Sequence, residues 1–156
     1  MLDANGEALA EAASAWLVMD PEARRLVRHP KTRLDWRSTR GRAWPEAFHE
    51  RPRAVEGVAN ERALAVRRAD IDVNGHVNHV HFVTWAMEAV PESRWRDAQL
   101  RSFEIEYLAE AMPGEEVLAR AAPEPEGTRW RHEVIRASDG RALVRARSDW
   151  SATKLR

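Results

Sequence analysis

Cysteine is absent from the 156 residues, which removes a disulfide framework, a thiolate metal site and a cysteine nucleophile together. No apolar run approaches the roughly 18 residues of a membrane-spanning helix. No charged-then-apolar start reads as a signal peptide, so a cytoplasmic protein is the expectation. An excess of either charge is also missing, since Lys+Arg and Asp+Glu stand at 25 each. That balance gives neither nucleic acid nor an anionic membrane an overall footing as partner. Tyrosine occurs once and phenylalanine three times, against seven tryptophans. Arginine greatly outnumbers lysine, which reads as genome composition rather than function. The length suits one ordinary domain, or one domain plus a fragment.

What is present begins with a repeat. "NGEALAEAASAW" (residues 5–16) and "DGRALVRARSDW" (residues 139–150) align at an offset of 134, matching Gly6 with Gly140, Leu9 with Leu143 and Trp16 with Trp150. In the later copy Ala142, Val144, Ala146, Ser148 and Trp150 alternate with Arg145, Arg147 and Asp149, the period of a strand with one apolar and one charged face. The Asp139-Gly140 pair ahead of it is a turn signal. The earlier copy then reads as a terminal strand over residues 1–22, the tail of a unit whose start would lie before Met1. Chance similarity between two alanine-rich segments is the plain alternative. From Arg24 to Arg42 eight basic residues face one acid, Asp35, and residues 43–60 carry Pro45, Pro52 and Gly57 with no sustained period. Residues 23–60 are read as a basic connector.

Residues 61–156 are expected to form a complete second unit. A short strand over 61–68 leads to a polar stretch, and residues 77–90 read as a helix, apolar on nearly every side and stopped by Pro91. Strands follow near 99–108, 115–122, 129–137 and 141–150, separated by turns at Pro113-Gly114, Gly127 and Asp139-Gly140. One buried helix wrapped by a curved antiparallel sheet is the α+β hot-dog arrangement.

The polar stretch is "ADIDVNGHVNH". In an extended segment Asp72, Asn74 and His76 share one face, just ahead of a helix start that offers unpaired N–H groups and a positive dipole end. Such a cluster can hold a carbonyl oxygen while polar side chains orient an attacking group. The alternative is that Asp72 or Asn74 caps the helix and His76 packs beneath it. His76, His79 and His81 lack the i, i+4 spacing of helical zinc ligands, so no metal is expected. Glu110 is a second candidate. Placed where a strand runs into the Pro113-Gly114 turn, near a buried helix end, it is either a general base made more basic by desolvation or a solvated turn residue.

"DIDVNGHVNHVHFVTWAMEAVP" followed by "EIEYLAEA" resembles the plant and bacterial acyl-ACP thioesterases. These have two hot-dog domains in tandem and hydrolyse the thioester of fatty acyl-acyl carrier protein in fatty acid biosynthesis. The family's D-x-N-x-H motif falls on Asp72, Asn74 and His76. Its catalytic glutamate, in an E-Y-x-x-E context, falls on Glu110, 34 residues after the histidine. "DANGEALAEAASAWLVMDPEARRLVRHP" is similar to the end of the family's first domain, most of which is absent here. Where plant members often carry a cysteine after the glutamate, this chain has Ala111.

The resemblance implies a cofactor-free thioester hydrolase. Glu110 would activate water or attack directly, His76 would assist proton transfer, and Asp72 and Asn74 would hold it and the substrate. Asn78 would sit among the substrate-binding residues, and the acyl chain would run beside the helix in a slot walled by Phe82, Val83 and Trp85. Arg24, Arg25, Arg28, Lys31 and Arg33 offer a surface for the acidic carrier protein with its phosphopantetheine-linked acyl group. A homodimer through the hot-dog domain is expected. The rivals are an acyl-CoA thioesterase of the same fold and a silent remnant that binds acyl thioesters or a partner subunit.

Overall fold

The computed structural model describes residues 1–17, 19–20, 22–23, 25–27, 50–58 and 60–151. Two compact units emerge, Met1–Glu50 and Arg51–Arg156. In the first, strand β1 (Met19–Asp20) pairs antiparallel with β2 (Arg25–Leu26), and Asp20 Oδ1 accepts the backbone N–H groups of Glu22 and Ala23 across the turn. Of the terminal strand expected over residues 1–22, only the two residues of β1 are strand among the described residues. Residues 9–17 belong to no helix or strand, and Trp16 is exposed. Alternation specifies a strand only when a neighbour takes its N–H and C=O groups, and no neighbour flanks these residues among the described part of that unit.

In the second unit the alternating segments all found partners. Strands β3 (Asn60–Ala65), β4 (Leu100–Tyr107), β5 (Glu116–Pro123), β6 (Arg129–Arg136) and β7 (Ala142–Trp150) form one antiparallel sheet in the order β3-β5-β6-β7-β4. Val144, Ala146, Ser148 and Trp150 of β7 are buried, as the period of two predicts. The opposite face carries charge in register. Glu104 lies across from Arg147, Glu133 from Arg145, and Arg129 from Asp149, each joined by an ion pair of 2.7–3.0 Å. Opposite charges directly across a sheet add roughly 0.2–1 kcal/mol each, and the pairing also satisfies Glu133, which is buried.

Helix α1 (His79–Glu88) packs on β5 and β6. It is shorter than the expected 77–90, because Asn78 caps it with Oδ1 accepting the Val80 N–H at 3.1 Å. Phe82, Trp85, Ala86 and Met87 are buried, while Val80 and Glu88 are exposed. A second helix, α2 (Glu92–Asp97), was not expected. Pro91 both ends the first helix and stands at the N-cap of this one, a position where its missing N–H costs little.

Helix and sheet are also joined by a buried polar connection. Buried His132 on β6 donates Nδ1–H to the Ala86 carbonyl at 3.1 Å, and its Nε2 accepts the Ser148 hydroxyl at 2.7 Å. Ser148 Oγ in turn accepts the Trp150 indole N–H at 2.8 Å. With a neutral imidazole every donor in this chain, the Ser148 hydroxyl included, has an acceptor. Burial accordingly lowers the His132 pKa to about 4.

Candidate active site

Between β3 and α1 the chain makes one 3-10 turn, Arg68–Asp70, and then doubles back. Ile71 bridges Val77, the Asp72 N–H donates to the His76 carbonyl at 2.8 Å, and the Gly75 N–H donates to the Asp72 carbonyl at 3.1 Å. Gly75 sits at φ +80°, where a side chain would be strained. Asp72, Asn74 and His76 therefore do not line one face of an extended segment. They share a tight turn, which the glycine permits and the period-two reading could not anticipate. Asp72 Oδ1 accepts the Asn74 backbone N–H at 2.8 Å, and its Oδ2 lies 3.4 Å from Asn74 Nδ2. The Asn74 N–H is the main reason the Asp72 pKa lies below the usual carboxylate value. Neither Asp72 nor Asn74 caps α1, since Asn78 does.

A carboxylate that the sequence did not single out anchors this turn. Asp70 is fully buried, and it accepts the Arg67 backbone N–H and a guanidinium N–H from Arg67 Nη2, both at 2.8 Å. His81 Nδ1 lies 3.5 Å from the same carboxylate, and the Asp70 carbonyl accepts the Asn78 N–H. Burial pushes the Asp70 pKa up, but the hydrogen bonds from Arg67 outweigh it and hold the carboxyl ionised. Asp70→Asn is expected to lower the unfolding free energy by about 2 kcal/mol, the scale of a charged hydrogen bond lost from a buried acceptor. An unchanged urea midpoint would contradict that anchoring role.

Glu110 arrives from the other side. The residue after it, Ala111, accepts the Val77 N–H on its carbonyl at 3.1 Å. That bond between the residues next in sequence brings the two side chains together, and His76 Nε2 lies 3.6 Å from Glu110 Oε2. The Glu110 side chain is 51% exposed and the His76 side chain 34% exposed. The desolvation expected of Glu110 is therefore not supplied by this chain, and the pair is open to water. Tyr107 closes one flank, its hydroxyl donating to the His79 carbonyl at 3.3 Å.

The other expected residues fall elsewhere. Phe82 and Trp85 are 3% and 4% exposed and lie in the core, in edge-to-face contact at 5.3 Å. The helical period turns them toward the sheet and leaves Val83 half-buried beside them. Asn78 is occupied as the helix cap. Arg25 is an exposed residue of β2, while Arg24, Arg28, Lys31 and Arg33 lie outside the described residues. Among the described residues no group of three or more His, Asp and Glu side chains is arranged to hold a metal ion.

A turn carrying Asp-x-Asn-x-His at a helix start, with a glutamate brought to the histidine from the end of β4, can be compared with known proteins. Residues 54–152 match the acyl-ACP thioesterase C-terminal domain. The chain belongs to that family. Among curated relatives of this chain, the chloroplastic palmitoyl-acyl carrier protein thioesterase of Cuphea hookeriana is 26% identical over 155 residues, covering 93% of this chain and 37% of that protein. The enzyme of the same name from Arabidopsis thaliana is 28% identical over 172 residues, covering 94% and 39%. The chain thus spans about two fifths of the length of these relatives. In fold it is similar to the 12:0-ACP thioesterase from Umbellularia californica, with a TM-score of 0.74 at 23% identity over 85% of this chain and 52% of that one. An acyl-ACP thioesterase from Bacteroides thetaiotaomicron gives 0.69 at 21% identity over 85% and 53%. These likenesses establish the hot-dog fold, with α1 lying against the antiparallel sheet.

Proposed function

We propose that this domain hydrolyses the thioester of fatty acyl-acyl carrier protein to a free fatty acid and the carrier protein. The observation that carries the reading is the pairing of His76 Nε2 with Glu110 Oε2 at 3.6 Å beside the start of α1. Glu110 takes a proton from water as the water oxygen attacks the carbonyl carbon. The carbonyl oxygen gains negative charge, stabilised by the positive end of α1 and by first-turn N–H groups other than those of Val80 and His81, which Asn78 already engages. The C–S bond then breaks, and the phosphopantetheine thiolate leaves with a proton relayed through His76. Asp72 and Asn74 hold the turn that aims His76.

No cofactor enters this scheme, and the names of the curated relatives support the carrier-protein thioester as substrate. The proposal includes a homodimer, for which Val73, Val80, Leu108 and Met112 supply exposed apolar side chains. It also includes a cytoplasmic location. Among the described residues no helix is long and apolar enough to cross a membrane.

The test is release of free fatty acid from a panel of acyl-carrier-protein and acyl-CoA thioesters of graded chain length, with oligomeric state measured by light scattering on the same sample. Faster release from the carrier protein is expected. Faster release from CoA would make the domain an acyl-CoA thioesterase. No release from folded protein would leave a binding remnant.

A further inference from the structure

Glu110 lies outside regular structure, in the irregular segment that follows β4. A general base must hold its position to within a fraction of an ångström, so something has to replace the sheet's hydrogen bonds there. The backbone of this segment is tied group by group. The N–H groups of Leu108 and Ala109 donate to the Leu143 carbonyl at 2.8 and 3.1 Å, and the Ala111 carbonyl accepts the Val77 N–H. The Met112 N–H donates to Glu115 Oε2 at 3.0 Å. The Glu110 carbonyl accepts Nη2–H of Arg136 at 3.1 Å.

Arg136 is the last residue of β6, and its side chain is 16% exposed. Its guanidinium makes two further contacts: Nη1 donates to Asp139 Oδ2 at 3.0 Å, and Nε lies 3.0 Å from Glu115 Oε1 as an ion pair without hydrogen-bond geometry. One planar fork therefore joins the Glu110 carbonyl, the carboxylate that holds Met112, and the β6–β7 turn. The geometry points to Arg136 as the positioning residue for Glu110, a role that rests on the proposed hydrolytic reading of this site. With Val77 holding the next carbonyl, the peptide that carries Glu110 is fixed from the helix side and from the sheet side. Arginine suits the task because its planar guanidinium donates to two separate acceptors while its charge faces Glu115, whereas lysine offers a single flexible ammonium that cannot span these positions. Arg136 touches neither His76 nor the reacting atoms in this scheme, so it acts through Glu110.

The experiment compares Arg136→Met, Arg136→Lys and Glu110→Gln in the full chain, by kinetics and by NMR of the His76 ring. Arg136→Met should lower kcat roughly 100-fold, the cost of displacing a catalytic group by about an ångström. KM should stay within about twofold, because uniform substrate binding is not removed. Arg136→Lys should lose less without regaining the wild-type rate. At fixed pH the His76 ring resonances should move in Arg136→Met in the same direction as in Glu110→Gln. The NMR arm stands even if no thioester tested is hydrolysed, which separates failure of the functional reading from failure of this inference. His76 resonances unmoved in Arg136→Met but moved in Glu110→Gln would overturn the role of Arg136, as would an unchanged kcat. Resonances unmoved in both variants would show that His76 and Glu110 do not meet, and would overturn it too.

Discussion

Glu110→Gln is expected to lower kcat/KM for acyl-carrier-protein hydrolysis by roughly 10³-fold, within the range that loss of a general base produces. The amide keeps the size of the carboxylate and most of its contacts, so the backbone ties of the Glu110 segment survive and the protein should fold. What the amide lacks is the capacity to take a proton from water or to attack a carbonyl carbon. His76 would then lose its anionic neighbour at 3.6 Å as well, so the two halves of the proton path fail together. For the same reason Glu110→Gln and His76→Ala should be strongly non-additive when combined. A loss of less than about tenfold would remove Glu110 from the chemistry and leave it the solvated turn residue that its 51% exposure also permits. Multiple turnovers in ¹⁸O-water test for one of the two roles left open for the carboxylate. Label entering the Glu110 side chain would mean direct attack, with water opening the mixed anhydride at the glutamyl carbon.

Acidification should destabilise the fold by about 3 kcal/mol between pH 6.5 and pH 4 through one residue, His132. In the unfolded chain its imidazole titrates near the ordinary value of 6.5, whereas burial holds it to about 4 in the fold. Between those values the unfolded chain binds a proton that the folded one refuses, so stability falls as pH falls. The contribution is fully present above pH 6.5 and fully lost below about pH 4. At pH 5 the loss should be about 2 kcal/mol. The carboxylates with lowered values, Asp70, Asp72 and Asp149 among them, lose their contributions only below about 3.8, outside this window. Urea unfolding at pH 7 and pH 5 measures the effect, and His132→Leu provides the control. That variant should be less stable at pH 7, because the Ala86 carbonyl and the Ser148 hydroxyl lose their partner. Its stability should also change much less between the two pH values. An equal pH response in wild type and variant would assign the acid sensitivity elsewhere.

Much of the architecture follows from local pattern. Period-two alternation located β4, β5, β6 and β7 to within two residues at each end, because a sheet with one charged face and one buried face repeats its rule at every second position. Asp139-Gly140, Gly127 and Pro113-Gly114 marked the turns, and Gly140, Gly127 and Gly114 all take positive φ. The D-x-N-x-H spacing and Glu110 were legible as a resemblance, and the chain brings His76 and Glu110 within 3.6 Å.

Other features could not be read locally, because they depend on what lies opposite. The first copy of the repeat has nearly the pattern of β7, yet Trp16 is exposed while Trp150 is buried. Identical alternation yields a strand only beside a partner. Asp70 and Asp72 look alike in sequence, but one is sealed beneath the turn by Arg67 and the other stays partly exposed at its base. His132 reads as one polar residue in a strand until Ala86, 46 residues earlier, supplies its acceptor. Arg136 has the parity of Trp130, His132 and Val134 rather than of the charged face, and its partner appears only when the irregular segment after β4 folds back onto it. Sequence by itself determined the strands, the turns and the chemical types at the site. Tertiary structure decided which of those groups lost their water and which found a partner, because burial and ion pairing are set by neighbours distant along the chain.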